Sequence, residues 1–319
     1  MAVVASGWFR AGCVDLPSSV SDFGASTCAC DNPPRDVWVS GFEIDRLEAT
    51  VRDYAACVAA GKCTPTTSYY YQARVSDNTA VVVDYEQAVA YCAWQDKRLP
   101  TEAEWEKAAR GADGRMYPWG NADPDCMTAA INGDLLGGLD RVVQSDGPHP
   151  EPLDCTPPFP GRVGLHPGDR SPYDVLDMAG NVPEWTSDLA LDERATVSSE
   201  CPSLDKSASV KFIDSNTVDP IGPNAESRER WLQSTWPDKK TTRDTYPIHV
   251  ARSGAIGVRR ILPVPGDLGS GYHAGMRCVR PMPGERNPPE PAAAGSYEIT
   301  IRRGQGGGFA VDSKPADQG

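Results

Sequence analysis

Apolar positions recur along the chain in short bursts, and the period of the bursts changes. Within residues 1–46 they alternate, Val37 with Val39 and then Phe42 with Ile44, which predicts short extended pieces ending at Asp45. At Thr50 the period lengthens. Val51, Tyr54, Ala55 and Val58 fall at helical spacing behind a threonine suited to cap them, and Gly61 stops the run. Residues 81–83 predict a short buried strand. Asp84 with Gln87 forms a capping-box pattern for a second helix, with Tyr85, Ala88, Val89 and Cys92 on one face and an end at residues 97–100. Thr101 with Glu104 repeats the pattern for a third helix, through Trp105, Ala108 and Ala109 to Gly111. Later strands are predicted at 248–252 and around 275–280.

Between these elements the chain is polar and irregular over 121–170 and again over 189–246. So long a structureless run inside a compact domain calls for a staple or an ion. Cys126 and Cys155 are candidates for the first, Asn132 and Asp154 for the second. From Pro281 the sequence turns Pro- and Gly-rich, with one alternation at Tyr297, Ile299 and Ile301. The expected organisation is one domain over 1–283 and a flexible Pro/Gly-rich tail over 284–319, with no internal repeat.

Composition sharpens this picture. The 319 residues include 30 Gly and 29 Pro, which points to a loop-rich fold of short elements. A net charge of −13 disfavours nucleic acid and anionic membranes as partners. No apolar run approaches the length of a transmembrane helix. Ten cysteines accompany only four scattered histidines, so disulfides are a better use than zinc. Cys57 and Cys63 bracket a Gly turn and either form a small staple or remain as one buried and one exposed thiol; the staple is the expectation. The start, MAVVASGWFRAGC, has no basic n-region and too short an apolar run for a signal peptide. With this cysteine load, an exported protein (periplasmic, cell-envelope or secreted) is expected, its export signal not present in this chain.

One stretch draws the chemistry together: SPYDVLDMAGNVPEWTSD, with Asp177, Gly180, Asn181 and Glu184 within eight positions. Two carboxylates at the ends of a Gly-Asn turn suit a hard cation such as Ca²⁺, which takes about 6–8 oxygen ligands. From this segment alone, a plain turn with its carboxylates bonded to nearby backbone is the favoured reading.

Several motifs then agree. Phe42-Glu43-Ile44-Asp45, RLPTEAEWE from Arg98, Ala109-Arg110-Gly111, Tyr117-Pro118-Trp119-Gly120, DMAGNVPEW from Asp177 and Gly275-Met276-Arg277-Cys278 occur in this order. The combination resembles the formylglycine-generating enzyme family, the sulfatase-modifying factors, over residues 5–280. The resemblance implies an α+β domain, a loop-rich variant of the C-type-lectin fold with little regular secondary structure, stabilised by calcium and bacterial in type. It implies that Asp177 and Glu184 supply side-chain ligands and Gly180 and Val182 carbonyls. It implies a second calcium at Asn132, the Gly133 carbonyl and Asp154. It also matches Cys92 and Cys278 to a family disulfide.

The family's chemistry is missing from its place. Catalytic members carry Arg-Gly-Gly-Ser-aromatic near the C-terminus, then two cysteines about five apart whose thiolates bind Cu(I). Here the strand reads Val250-Ala251-Arg252-Ser253-Gly254-Ala255-Ile256, with Ala255 at the serine position and Val258 at the first cysteine position. No cysteine lies between Cys201 and Cys278, and Pro183 replaces the tryptophan usual inside the GNxWEW motif. Copper is therefore not expected, and no catalytic residue is named. His149, His166, His249 and His273 lack the spacing of the histidine-rich iron site of sulfoxide-synthase relatives. The expectation is a non-catalytic domain, a monomer, binding a peptide, glycan or protein in its groove. The alternative is an oxidase or other modifying enzyme, acting on a protein cysteine or secondary metabolite through carboxylates such as Asp188 or Glu184. A purely structural module joined to something else by its tail is a third reading.

Overall fold

The computed structural model describes residues 1–12, 35–66, 68, 76–122, 160–189, 209–212, 249–253, 259–261, 273–282, 297–303 and 309–315. The N-terminal strands follow the alternation read from the sequence. In β1 (Ala2–Val4) Ala2 and Val4 point inward while Val3 is exposed. In β2 (Gly7–Ala11) Phe9 and Ala11 are buried, and Val37 and Val39 of β3 (Arg35–Val39) face the same side. β2 and β3 pair antiparallel, with Trp8 opposite Trp38. β4 (Phe42–Ile44) lies between β1 and the late strand β9 (Val279–Pro281), which brings segments more than 230 positions apart into one antiparallel sheet.

The three predicted helices form, each closed by a reciprocal capping box. α1 (Val51–Ala59) starts at Thr50 with Asp53, α2 (Tyr85–Trp94) at Asp84 with Gln87, and α3 (Glu102–Arg110) at Thr101 with Glu104. Two of the expected faces are rotated. Ala55 is exposed, and α1 buries Tyr54 and Cys57 instead. Val89 is 42% exposed, and α2 turns Gln87, Ala88, Tyr91 and Cys92 inward. The reason is tertiary: the Gln87 amide donates to Thr64 Oγ1 and to the Pro65 carbonyl, each at 3.1 Å, so a polar side chain has a partner inside.

α3 is the central post. All its residues from Ala103 to Arg110 are buried, charged ones included. Trp105, Ala108 and Ala109 pack against Phe9, Val37, Val39, Phe42 and Ile44 in one core. Lys107 Nζ donates to the carbonyls of Ala5 (2.7 Å), Gly7 (2.9 Å) and Val39 (3.3 Å), pinning the helix to the N-terminal strands. On its other side Arg252 reaches Glu102 at 3.2 Å and Glu106 at 2.9 Å. A second core gathers Tyr54, Tyr91, Leu99, Trp185, Ala251 and Met276 around α1 and α2. Disulfides join Cys57 to Cys63 and Cys92 to Cys278 within it.

Other elements differ in detail from the sequence reading. Residues 81–83 are buried but make isolated bridges, Val83 with Ala274, rather than a strand. The regular strand expected around 275–280 begins at Val279 rather than at Gly275. β5 (Glu184–Leu189) is a strand that no alternation announced. It pairs antiparallel with β7 (His249–Ser253), and β7 with β8 (Arg259–Ile261). Within the segment read as a tail, β10 (Tyr297–Arg303) and β11 (Phe309–Pro315) form a hairpin. The first of these pairs with β6 (Ser209–Phe212), so this part of 284–319 carries regular strands.

Candidate functional site

The Asp177–Glu184 stretch is a tight turn feeding directly into β5. Asp177 and Asn181 both adopt left-handed backbone, at φ 58° and 59°. For residues with a Cβ that conformation costs about 1–2 kcal/mol, so outside contacts must hold it. One is a close approach: the Gly275 N–H donates to the Pro183 carbonyl at 2.7 Å, and Trp185 N–H returns a bond to the Gly275 carbonyl at 3.0 Å. A Cβ at Gly275 would stand 2.3 Å from Val182 Cγ2, so only glycine lets the chain pass here.

Glu184 is 1% exposed and its carboxylate is heavily used. Oε2 accepts from Trp105 Nε1 and from Arg277 Nε, both at 2.7 Å, and Oε1 accepts from Arg277 Nη2 at 2.6 Å. Arg277, fully buried, also donates to the carbonyls of Leu176 (3.0 Å) and Asp45 (3.3 Å). Asp177 Oδ2 accepts from the Gly164 N–H at 2.5 Å.

Two further buried carboxylates stand in the same electrostatic field. Glu48 accepts from Asn181 Nδ2 at 2.5 Å and from the Val182 N–H at 3.3 Å. Asp169 Oδ2 accepts from the Ala179 N–H at 2.9 Å, while its buried Oδ1 has no hydrogen-bond partner. Burial first, and then the charges of Asp177 and Glu184, push the Glu48 carboxyl well above its ordinary range. Burial pushes Asp169 up to about 8, against the pull of its Ala179 hydrogen bond. Asp177 is raised by burial too, partly offset by the Gly164 N–H and by Arg277. Burial pulls the Arg277 guanidinium down, but the carboxylates around it, Glu184 foremost, lift it above its usual value. Four carboxylates thus share one guanidinium, with His166 also within electrostatic reach of Asp177.

The structure therefore brings Asp177, Gly180, Val182 and Glu184 together in one buried turn, and adds Glu48, Asp169 and Arg277. No sequence signal marked Glu48 or Asp169, and Arg277 was read only as part of the Gly275–Cys278 motif, with no partner assigned: Glu48 meets Asn181 across 133 positions and Arg277 meets Glu184 across 93. Among the described residues, no group of three or more His, Cys, Asp or Glu side chains is arranged to hold a metal. Asn132, Gly133 and Asp154 lie outside the described residues. So do Ala255, Val258 and Cys201. Asp188, the other carboxylate considered for chemistry, is 3% exposed and accepts from the Glu102 N–H at 2.8 Å, at the N-terminus of α3.

Comparison with known proteins gives a family model described as "Sulfatase-modifying factor enzyme 1-like domain", matching residues 1–211. A Bos taurus protein named "Inactive C-alpha-formylglycine-generating enzyme 2" is 41% identical over 109 residues, 34% of this chain and 32% of that protein. The "Formylglycine-generating enzyme" of Thermomonospora curvata is 29% identical over 232 residues, 59% of this chain and 71% of that one. A "Hercynine oxygenase" of Mycolicibacterium thermoresistibile is 38% identical over 109 residues, 33% of this chain and 20% of that one. The match to the Bos taurus protein thus spans about a third of that protein's length. Among solved structures, "Treponema denticola variable protein 1" aligns at a TM-score of 0.44 and 16% identity over 88% of this chain and 95% of that one, a likeness too slight to build on.

Proposed function

The chain belongs to the sulfatase-modifying factor family, and from that premise we propose that it is a non-catalytic member, an exported binding or scaffold domain with the C-type-lectin-like fold. The observation that carries the reading is the loss of thiolates. No cysteine lies between Cys201 and Cys278, and Cys278 is itself bonded to Cys92. Without a thiolate pair, nothing on that strand selects a soft ion such as Cu(I). The similarity to a relative named inactive supports the same reading. The disulfides support an oxidising compartment, and among the described residues no helix is long and apolar enough to cross a membrane. Its ligand would be a peptide, glycan or protein carried by the loops of a monomer, on a domain ending near residue 283.

Similarity to a hercynine oxygenase keeps a second reading in view, an enzyme with other chemistry in the same groove. Asp188 and Glu184 weigh against it, because both carboxylates are buried and committed to structural hydrogen bonds. One titration separates the readings. Cu(I) added anaerobically to the reduced-metal-free protein, with a sulfatase-type cysteine peptide present, is expected to give no thiolate-to-copper absorption, and admission of O₂ no formylglycine by mass spectrometry. Appearance of either product returns the protein to the enzymes.

We further propose that the turn holds structural calcium through Asp177, Glu184 and the Gly180 and Val182 carbonyls, with a second ion at Asn132, Gly133 and Asp154. The donors of the first site are all oxygen, which suits this ion. Four buried carboxylates around one guanidinium, with an unpartnered oxygen on Asp169, support a missing positive charge. Glu184 already accepts three hydrogen bonds, so it would lend one remaining lone pair of Oε1. The main-chain carbonyls and water would complete the shell, and calcium would supply charge and rigidity there. Chelation is then expected to lower stability, by about 2.7 kcal/mol if free calcium stood at a hundred times Kd. Asp177→Ala is expected to abolish that sensitivity in thermal melts. A wild-type Tm indifferent to chelator leaves these residues as a turn and nothing more.

A further inference from the structure

We propose that Glu48 is a positioning residue for this turn: it sets the Gly180 and Val182 carbonyls for a hard divalent cation without touching the ion. The inference rests on the calcium reading above. Glu48 sits just ahead of α1, is 2% exposed, and gives both carboxylate oxygens to the turn. Oε2 accepts from Asn181 Nδ2 at 2.5 Å and Oε1 from the Val182 N–H at 3.3 Å.

Asn181 is the residue between the two carbonyl positions, and its backbone is left-handed. Its side chain is gripped at both ends. Oδ1 accepts from the Gly161 N–H at 2.8 Å while Nδ2 donates to Glu48. With Oδ1 engaged by an N–H, the amide cannot turn over, so its nitrogen must face position 48. Only a group that accepts twice satisfies both Asn181 Nδ2 and the Val182 N–H. A carboxylate does so. A glutamine has a single acceptor oxygen where the carboxylate uses two, and would set its own N–H₂ against the Asn181 Nδ2 or the Val182 N–H. Groups that orient metal ligands from behind in this way govern affinity although they never contact the ion.

The test is calorimetric titration of calcium into the chelator-stripped full chain. Glu48→Gln is expected to weaken Kd about 10–100-fold, the usual effect of losing such a support. Asn181→Gly keeps a residue at ease with positive φ but removes the grip, and is expected to weaken Kd comparably. Glu48→Gln combined with Asn181→Asp exchanges donor for acceptor across the pair and is expected to recover most of the affinity. Val37→Ala, in the other core, is expected to lower Tm and leave Kd unchanged, which a merely structural role for Glu48 would also do. If Glu48→Gln fails to fold, Asn181→Gly decides. Wild-type Kd in Glu48→Gln or in Asn181→Gly overturns the positioning role while the calcium reading stands. A double variant as weak as Glu48→Gln overturns the hydrogen-bond route. No calcium heat in the wild type removes both readings at once.

Discussion

Arg277→Leu is expected to destabilise the fold by about 3–5 kcal/mol, the range for removing one partner of a buried ion pair. Arg277 is fully buried, and its Nε and Nη2 hold both oxygens of Glu184, itself 1% exposed. The loss goes beyond one pair. Glu48, Asp169 and Asp177 lie in the same field, and Arg277 lowers the cost of ionising each of them. The carbonyls of Asp45 and Leu176 would lose a donor as well. Urea unfolding gives the number, with the slope m expected to stay constant. Arg277→Lys separates charge from shape. One ammonium cannot reproduce a planar fork that reaches a carboxylate and two carbonyls, so it too should fall well short of wild type. Adding Glu184→Gln to Arg277→Leu should be milder than Arg277→Leu alone, since the orphaned charge is gone. Wild-type stability in Arg277→Lys would mean that charge alone matters and the fork is incidental. The Arg280–Glu43 pair, with Arg280 53% exposed, should show a far smaller effect when broken.

What could be read from the sequence follows the range of the interactions involved. The helix starts were readable because a capping box joins residues only three positions apart, as in Asp84 with Gln87 or Thr101 with Glu104. Helix faces were less so. Nothing near Gln87 says that Thr64 and Pro65 will receive its amide, so Val89 rather than Gln87 looked like the inward residue. β5 was hidden for another reason. Glu184, Thr186 and Asp188 are polar yet buried, as is Trp185, so no row of apolar residues marks an inward face. At the candidate site, Asp177 and Glu184 announced themselves through a local Gly-Asn turn. Glu48 and Asp169 could not, and Arg277 stood out only as a letter of the Gly275–Cys278 motif, because each takes its role from a fold contact rather than a spacing. A buried carboxylate in sequence looks the same as an exposed one until its partner is placed.

Losing the Cys92–Cys278 disulfide is expected to be as damaging as losing Arg277, and for an unrelated reason. Its two cysteines are 186 positions apart, so the bond closes most of the domain into one loop. The chain-entropy model assigns such a loop about 5 kcal/mol, by restricting the unfolded chain. The same model gives about 2 kcal/mol for Cys57–Cys63, only 6 apart. The comparison is informative because both bonds lie in one core and differ mainly in the loop they close. Cys92 and Cys278 are fully buried, so replacing both with alanine also loses packing between α2 and the segment leading to β9. Urea unfolding of the two double-alanine variants should therefore rank them clearly, the long-range pair costing more. An equal or reversed ranking would mean that the unfolded chain is already compact enough to hold those segments near one another, and that the bond stabilises through native packing instead. Access gives a second handle. With both sulfurs shielded, mild reductant should leave Cys92–Cys278 intact in the folded protein and open it only when urea exposes it, as intact-mass analysis before and after unfolding would register. Prompt reduction under native conditions would place this bond where solvent reaches it, and would take away the clamp that joins α2 to the segment leading into β9.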